Sequence, residues 1–263
     1  MFFSLSTPIL VLVLTVIIMG SAVAGLLVGR AHGHRESNER EFFSVLQGTL
    51  LGFMALILAF GLSLALGRYE SRRVAVVDDA NTIGTTYLRA QTLPEPFRSE
   101  AMALLVRYTD SESDLTVARP GSDASREIVA QGSALQGRLW ALATEAVQAQ
   151  PQATAPRLYE ESLNDMIDQQ TVRVAGLSNH VPGEVLLLEV IGAAAAMFLL
   201  GLHLGALGRS FLPVLLAAAL VTMLMFVTFD LDRPTRGFIE IPDSALQTLR
   251  SSMDQQPVPD APD

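Results

Sequence analysis

Side chains able to do chemistry are sparse in this sequence, and most stand outside its apolar stretches. Within or beside those stretches the ionisable residues are Glu184, Glu189, His203, Asp230 and Asp232. A charge inside an apolar span is costly and by default marks a function. Glu184 and Glu189 fall in the first turns of their span, where the positive end of a helix dipole favours a carboxylate, so an interfacial position accounts for both. His203 reads as two turns deep; a hydrogen bond to a neighbouring helix and a pore or proton-relay role fit it equally. His32 and His34 have the spacing of a metal pair, but their charged loop offers no third ligand. The chain has no cysteine, which excludes a disulfide framework, a thiolate metal site and a Cys nucleophile. It contains no nucleophile elbow, no His-Glu-x-x-His pair and no phosphate-cradling Gly-rich loop. No catalytic residue, metal or cofactor is therefore expected, and the chain does not read as an enzyme.

The elements that position these residues follow from hydropathy. Half of the 263 residues are hydrophobic. They concentrate in two blocks, 8–67 and 185–229, separated by about 115 more polar residues. The net charge is −9, which argues against a nucleic-acid partner. All 18 basic residues are Arg.

Residues 8–29 form an apolar run broken only by Thr15 and Ser21, long enough to cross the ~30 Å hydrocarbon core. Ala22-Val23-Ala24 has the look of a signal-peptide cleavage site. Residues 1–7, however, carry no basic group and the run continues to Val28, which favours a span. A charged loop is expected at 30–41. The stretch 48–73 then runs from about twenty residues free of ionisable groups straight into Arg68, Tyr69, Glu70, Arg72 and Arg73. It carries no breaker, so one helix should join a membrane part to a polar part.

The polar middle shows helical periodicity at 74–92, 97–112, 126–149 and 157–179, with Pro94 and Pro96 ending the first of these. Two more spans are expected at 185–207 and 211–229, joined by a tight Gly208-Arg209-Ser210 turn as an antiparallel hairpin. An extended segment at 237–242 leads to a short helix, and a Pro- and Asp-rich tail begins at Gln255. The expected fold is an all-α membrane protein with four transmembrane helices. A helical soluble domain is inserted between the second and third spans. The expected divisions are 1–67, 68–182, 183–230 and a tail from 231. Arg68, Arg72, Arg73, Arg173, Arg233 and Arg236 near span ends outnumber Arg30, Arg35, Arg40 and Arg209, which favours a cytoplasmic middle domain.

Three patterns within these elements bear on assembly. Gly25/Gly29, Gly48/Gly52 and Gly201/Gly205 are each spaced four apart, which lets helix backbones approach closely. Gly52, Leu56, Phe60 and Leu64 recur every four residues on one face, with Ser63 close to it. Within a single protomer that stripe is packing; in a ring of subunits it could form an apolar constriction that gates by dewetting. Asn81 and Tyr87, with Asp230, Asp232, Arg233 and Arg236, read as polar caps at the membrane boundary, where Asp–Arg pairing would fix where the fourth span exits.

Leu58-Ala59-Phe60, then Leu64 and Arg68-Tyr69, resembles the second-helix pattern of the bestrophins, and the order of parts is similar along the chain. The stretch from Gly237 through Pro242 to Asp243 resembles their tail segment. The run from Asp79 to Arg89 and the Asp230-Leu231-Asp232-Arg233-Pro234 segment continuing to Gly237 look like two signatures of a bacterial bestrophin-like family. This resemblance covers nearly the whole chain. It implies a homo-oligomeric, pentameric ion channel of the bacterial inner membrane, multi-pass, with the lipid bilayer and inorganic ions as partners. It also implies that Gly52, Leu56 and Phe60 line a neck, with Arg68 and Glu70 at its exit. The sequence departs from bestrophins in having Gly52 where a bulky residue is usual, and in lacking the dense acidic run that holds calcium in animal members. The contrasting expectation is a non-conducting membrane protein whose soluble helical domain binds a partner or senses stress.

Overall fold

A computed structural model describes residues 6–31, 37–233, 235 and 237–255, with residues 37–43 described by backbone alone. His32, His34, Arg236 and the tail beyond Gln255 lie outside the described residues. The described residues contain helices and no strand. These are α1 (Thr7–Ala31), α2 (Ser37–Ala90), α3 (Phe97–Val117), α4 (Asp123–Ala149), α5 (Thr154–Ser178), α6 (Gly183–Ala206), α7 (Leu212–Leu231) and α8 (Ser244–Gln255). Four of the helices are long and apolar enough to cross a membrane. α2 is unbroken over 54 residues, because no proline interrupts it before Pro94. Ser37–Glu41, expected in the charged loop, belongs to this helix. α3 runs five residues past the expected end at 112, since the next breaker is Pro120. α4 starts at Asp123 because the Ser122 hydroxyl accepts from the Ser125 amide at 3.1 Å, a side-chain N-cap.

The chain divides into two compact units: one up to Arg68 together with His180–Ile239, the other Tyr69–Asn179 together with the chain from Glu240. In the first, α1 and α6 pack in parallel through two of the paired-glycine motifs. A Cβ at Gly201 would overlap the Ala22 carbonyl and stand 2.8 Å from the Leu26 nitrogen. One at Gly25 would overlap the Phe198 carbonyl and stand 3.0 Å from the Leu202 nitrogen. Gly29 and Gly205 meet the Leu202 and Leu26 backbones in the same way. Backbone therefore lies against backbone, and dispersion between close-packed main chains supplies the cohesion that lipid-like surroundings deny to apolar side chains. The α6–α7 turn closes with Gly208 at φ +63°, a left-handed position that glycine adopts without strain.

The second unit is built from α2 beyond Tyr69 and from α3, α4, α5 and α8. Its core gathers Ile83, Leu105, Tyr108, Leu139, Tyr159, Leu163, Met166 and Leu246. These residues recur three and four apart on their helices, so each helix buries one stripe. α8 buries Leu246 and Met253, and its Arg250 donates to Asp110 Oδ1 at 2.7 Å.

Candidate functional site: the second helix and the buried polar groups

α2 presents two unlike faces within the first unit. Met54, Leu58, Gly61 and Ala65, spaced four, three and four apart, are buried. Opposite them Leu56, Phe60 and Leu64 are 54%, 62% and 47% exposed, and Gly52 and Ser63 are also exposed. Gly48 and Gly52 have no atom near the place of a Cβ, unlike the two glycine pairs joining α1 and α6. The chain thus uses one narrow stripe of α2 and leaves an apolar face with no neighbour among the described residues.

Beyond this stretch Arg68 is half-buried. Glu70 is exposed and accepts from Arg73 at 3.3 Å. Arg72, by contrast, is buried; its guanidinium donates to the Gly176 carbonyl at 3.0 Å and the Asn179 carbonyl at 2.5 Å. It thereby satisfies carbonyls at the C-terminus of α5 and lays positive charge on the negative end of that helix dipole.

The residues expected as polar caps at the membrane boundary are divided between the two units. Asp230 and Asp232 are buried in the first unit and accept from backbone amides. Asp230 Oδ2 takes the Phe238 and Ile239 amides at 2.9 and 3.0 Å, and Asp232 Oδ2 takes the Val181 amide at 2.8 Å. A Cβ at Gly237 would overlap the Asp230 carboxylate, so only glycine lets the chain fold around it. Arg233 is buried as well. Asn81 and Tyr87 belong to the second unit, where Asn81 is exposed and Tyr87 lies in the core, its hydroxyl donating to the Met253 carbonyl at 3.4 Å. Of the polar groups expected within spans, His203 lies half-buried in the last turn of α6, because that helix ends at Ala206. Glu189 is fully buried and Glu184 exposed.

A second buried polar group escaped the sequence reading. Arg173 Nη1 donates to Asp79 Oδ2 at 2.5 Å and Glu112 Oε2 at 2.7 Å, and its Nη2 to the Glu112 carbonyl at 2.8 Å and to Thr116. Gln170 donates to Glu112 Oε1 at 2.6 Å, and Gln136 donates to Gln170 and Tyr108. One guanidinium thus serves two carboxyls. Burial, with the neighbouring Asp79 carboxylate adding to it, pushes Glu112 up to about 7 against the pull of Arg173. Burial also raises Asp79. Asp79, Glu112 and Arg173 each occupy a stripe of apolar spacing on their own helix, which is the sequence signal that could have marked them. Among the described residues no three His, Cys, Asp or Glu side chains converge as a metal site.

The architecture is similar to crystal structures of a bacterial bestrophin homolog from Klebsiella pneumoniae. One, phased on zinc, matches at 13% identity and TM-score 0.67, covering 93% of this chain and 96% of that chain. A singly substituted form matches at 13% identity and TM-score 0.68 over the same shares. Another matches at 11% identity and TM-score 0.67 over 91% and 97%. At these identities the likeness is one of fold. No curated protein matches the sequence. The bestrophin-like domain family matches residues 15–246, which take in most of α1, the other three apolar helices and parts of both units. This all-α membrane protein belongs to the bestrophin-like family.

Proposed function

We propose that the chain forms an oligomeric ion channel in which copies of α2 meet around a common axis. The exposed face of Gly52, Leu56, Phe60, Ser63 and Leu64 then lines an apolar neck. Ions permeate passively, and the neck is the barrier, because a narrow apolar constriction dewets and offers an ion nothing in place of its hydration shell. Arg68 and Glu70 stand at the exit of this pore. A pentamer is the assembly that the bestrophin resemblance implies. In this reading residues 68–182 are a soluble cytoplasmic domain set between the membrane segments 1–67 and 183–230, with a tail from 231, and the protein resides in the bacterial inner membrane.

The observation that carries the reading is the exposure of Leu56, Phe60 and Leu64 on a helix whose opposite stripe is buried. An apolar face of this kind is covered either by lipid or by another copy. Mass in detergent and ion flux in vesicles distinguish the two. We expect a pentameric mass, flux above that of empty vesicles, and a several-fold rise in flux for Phe60→Ala and Leu56→Ala. A monomeric mass with background flux would overturn the proposal.

A further inference from the structure

Glu189 is the side chain whose surroundings least suit its chemistry. It lies six residues inside α6, about 9 Å along the helix from Gly183, so it is past the first turn. Its exposure is 0%, and neither carboxyl oxygen has a hydrogen-bond partner. The carboxyl is lodged against Gly61 of α2, where a Cβ would overlap Oε1 and stand 2.6 Å from the carboxyl carbon. One turn along α6, Gly192 receives the Met54 side chain. Leu186, Val190 and Ala193 flank Glu189 on the buried stripe of α6. α1, which packs on α6, buries Leu10 and Leu14 fully.

Among the described residues, no charge faces it from the elements packed on α6. In α1 the one ionisable residue is Arg30, exposed in the last turn. In α7 it is Asp230, in the last turn and held by the Phe238 and Ile239 amides. Along α2 no ionisable residue occurs between residue 44 and Arg68, two turns beyond Gly61. On α6 itself Glu184 is exposed and His203 lies nearly four turns away. A carboxylate with no donor and no cation in an apolar layer is strongly disfavoured, whereas the neutral acid is tolerated.

We propose that Glu189 is a proton-binding site within the membrane unit, closed by the contact between α6 and Gly61 of α2. While that contact is closed, the neutral acid is the favoured form. Ionisation breaks the carboxyl O–H bond, leaves the electron pair on the oxygen and passes the proton to water, which enters only when α2 and α6 part at Gly61. The same contact joins protonation to α2, so the site would make flux depend on pH; that consequence alone rests on the channel reading.

Infrared spectroscopy of the full-length protein reads the proton directly. A carboxylic-acid C=O band present at neutral pH and lost in Glu189→Gln supports the site; loss of a carboxylate band instead overturns it. A hydrophobic carbodiimide provides a measurement on the unaltered chain, so the proposal stays testable should the variant fail to fold. The protonated acid adds across the N=C bond of the reagent and its acyl group then migrates to nitrogen, leaving a stable acylurea. An adduct mapped by mass spectrometry to Glu189, and lost as the pH is raised, supports the site. An unmodified Glu189 beside a modified Glu184 overturns it. Both readouts are independent of ion flux, so they stand or fall separately from the channel.

Discussion

Arg173 and Glu112 meet with 2.7 Å between guanidinium nitrogen and carboxylate oxygen in the core of the second unit, and the same nitrogen also serves Asp79. Two buried carboxyls thus share one cation. Because burial holds Glu112 up at about 7 in the folded protein, the folded state binds more protons than the unfolded chain between the ordinary carboxylate value and neutrality. The unfolded chain gains by ionising there while the folded one does not, so stability falls as pH rises through that window and levels off above it. Asp79, also raised, acts in the same direction. Thermal denaturation in detergent across this range should show the decline, and Glu112→Gln should flatten it. Arg173→Ala leaves both carboxyls without their cation and should cost about 3–5 kcal/mol.

The glycine pairs make opposite predictions according to what lies beside them. Gly201→Ala drives a methyl into the Ala22 carbonyl and Leu26 nitrogen, main-chain atoms that cannot rotate away. It should cost about 1–3 kcal/mol, toward the upper end. Gly52→Ala meets nothing in the protomer and should be neutral or stabilising by up to about 1 kcal/mol through helix propensity. Melting temperatures of the two variants check this directly, with Gly48→Ala as a second open position.

Asp230 holds the chain as it leaves α7. Asp230→Ala strips an acceptor from the Phe238 and Ile239 amides and should cost about 2–3 kcal/mol. Asp230→Asn keeps one carbonyl oxygen and should lose less. Faster proteolysis near residues 237–239 in the Ala variant, ahead of global unfolding, is the expected signature.

Much of the fold was legible in the chain. The runs at 8–29, 185–207 and 211–229 mark three of the apolar helices to within a few residues, and the run at 48–67 falls inside the fourth, the much longer α2, because about twenty residues without charge admit few other fates in lipid. The Pro94–Pro96 break and the Gly208 turn were likewise visible, since both act through local backbone sterics. The charged residues at 37–41 were misread as loop for the converse reason: polarity alone does not end a helix when no breaker is present.

What the amino-acid order could not decide was which of two equivalent patterns meets a partner. Gly25/Gly29 and Gly48/Gly52 are the same motif, yet the first lies against the α6 backbone and the second against nothing. Leu56 and Leu58 are alike in type and neighbourhood, yet one is exposed and the other buried. Likewise Glu184 and Glu189 share a stretch of helix, but only Glu189 points at Gly61. Composition and periodicity act along the chain and determine helix and apolar run. Burial, hydrogen bonding and the state of a proton depend on atoms brought together from distant positions, and only the tertiary structure assigns those.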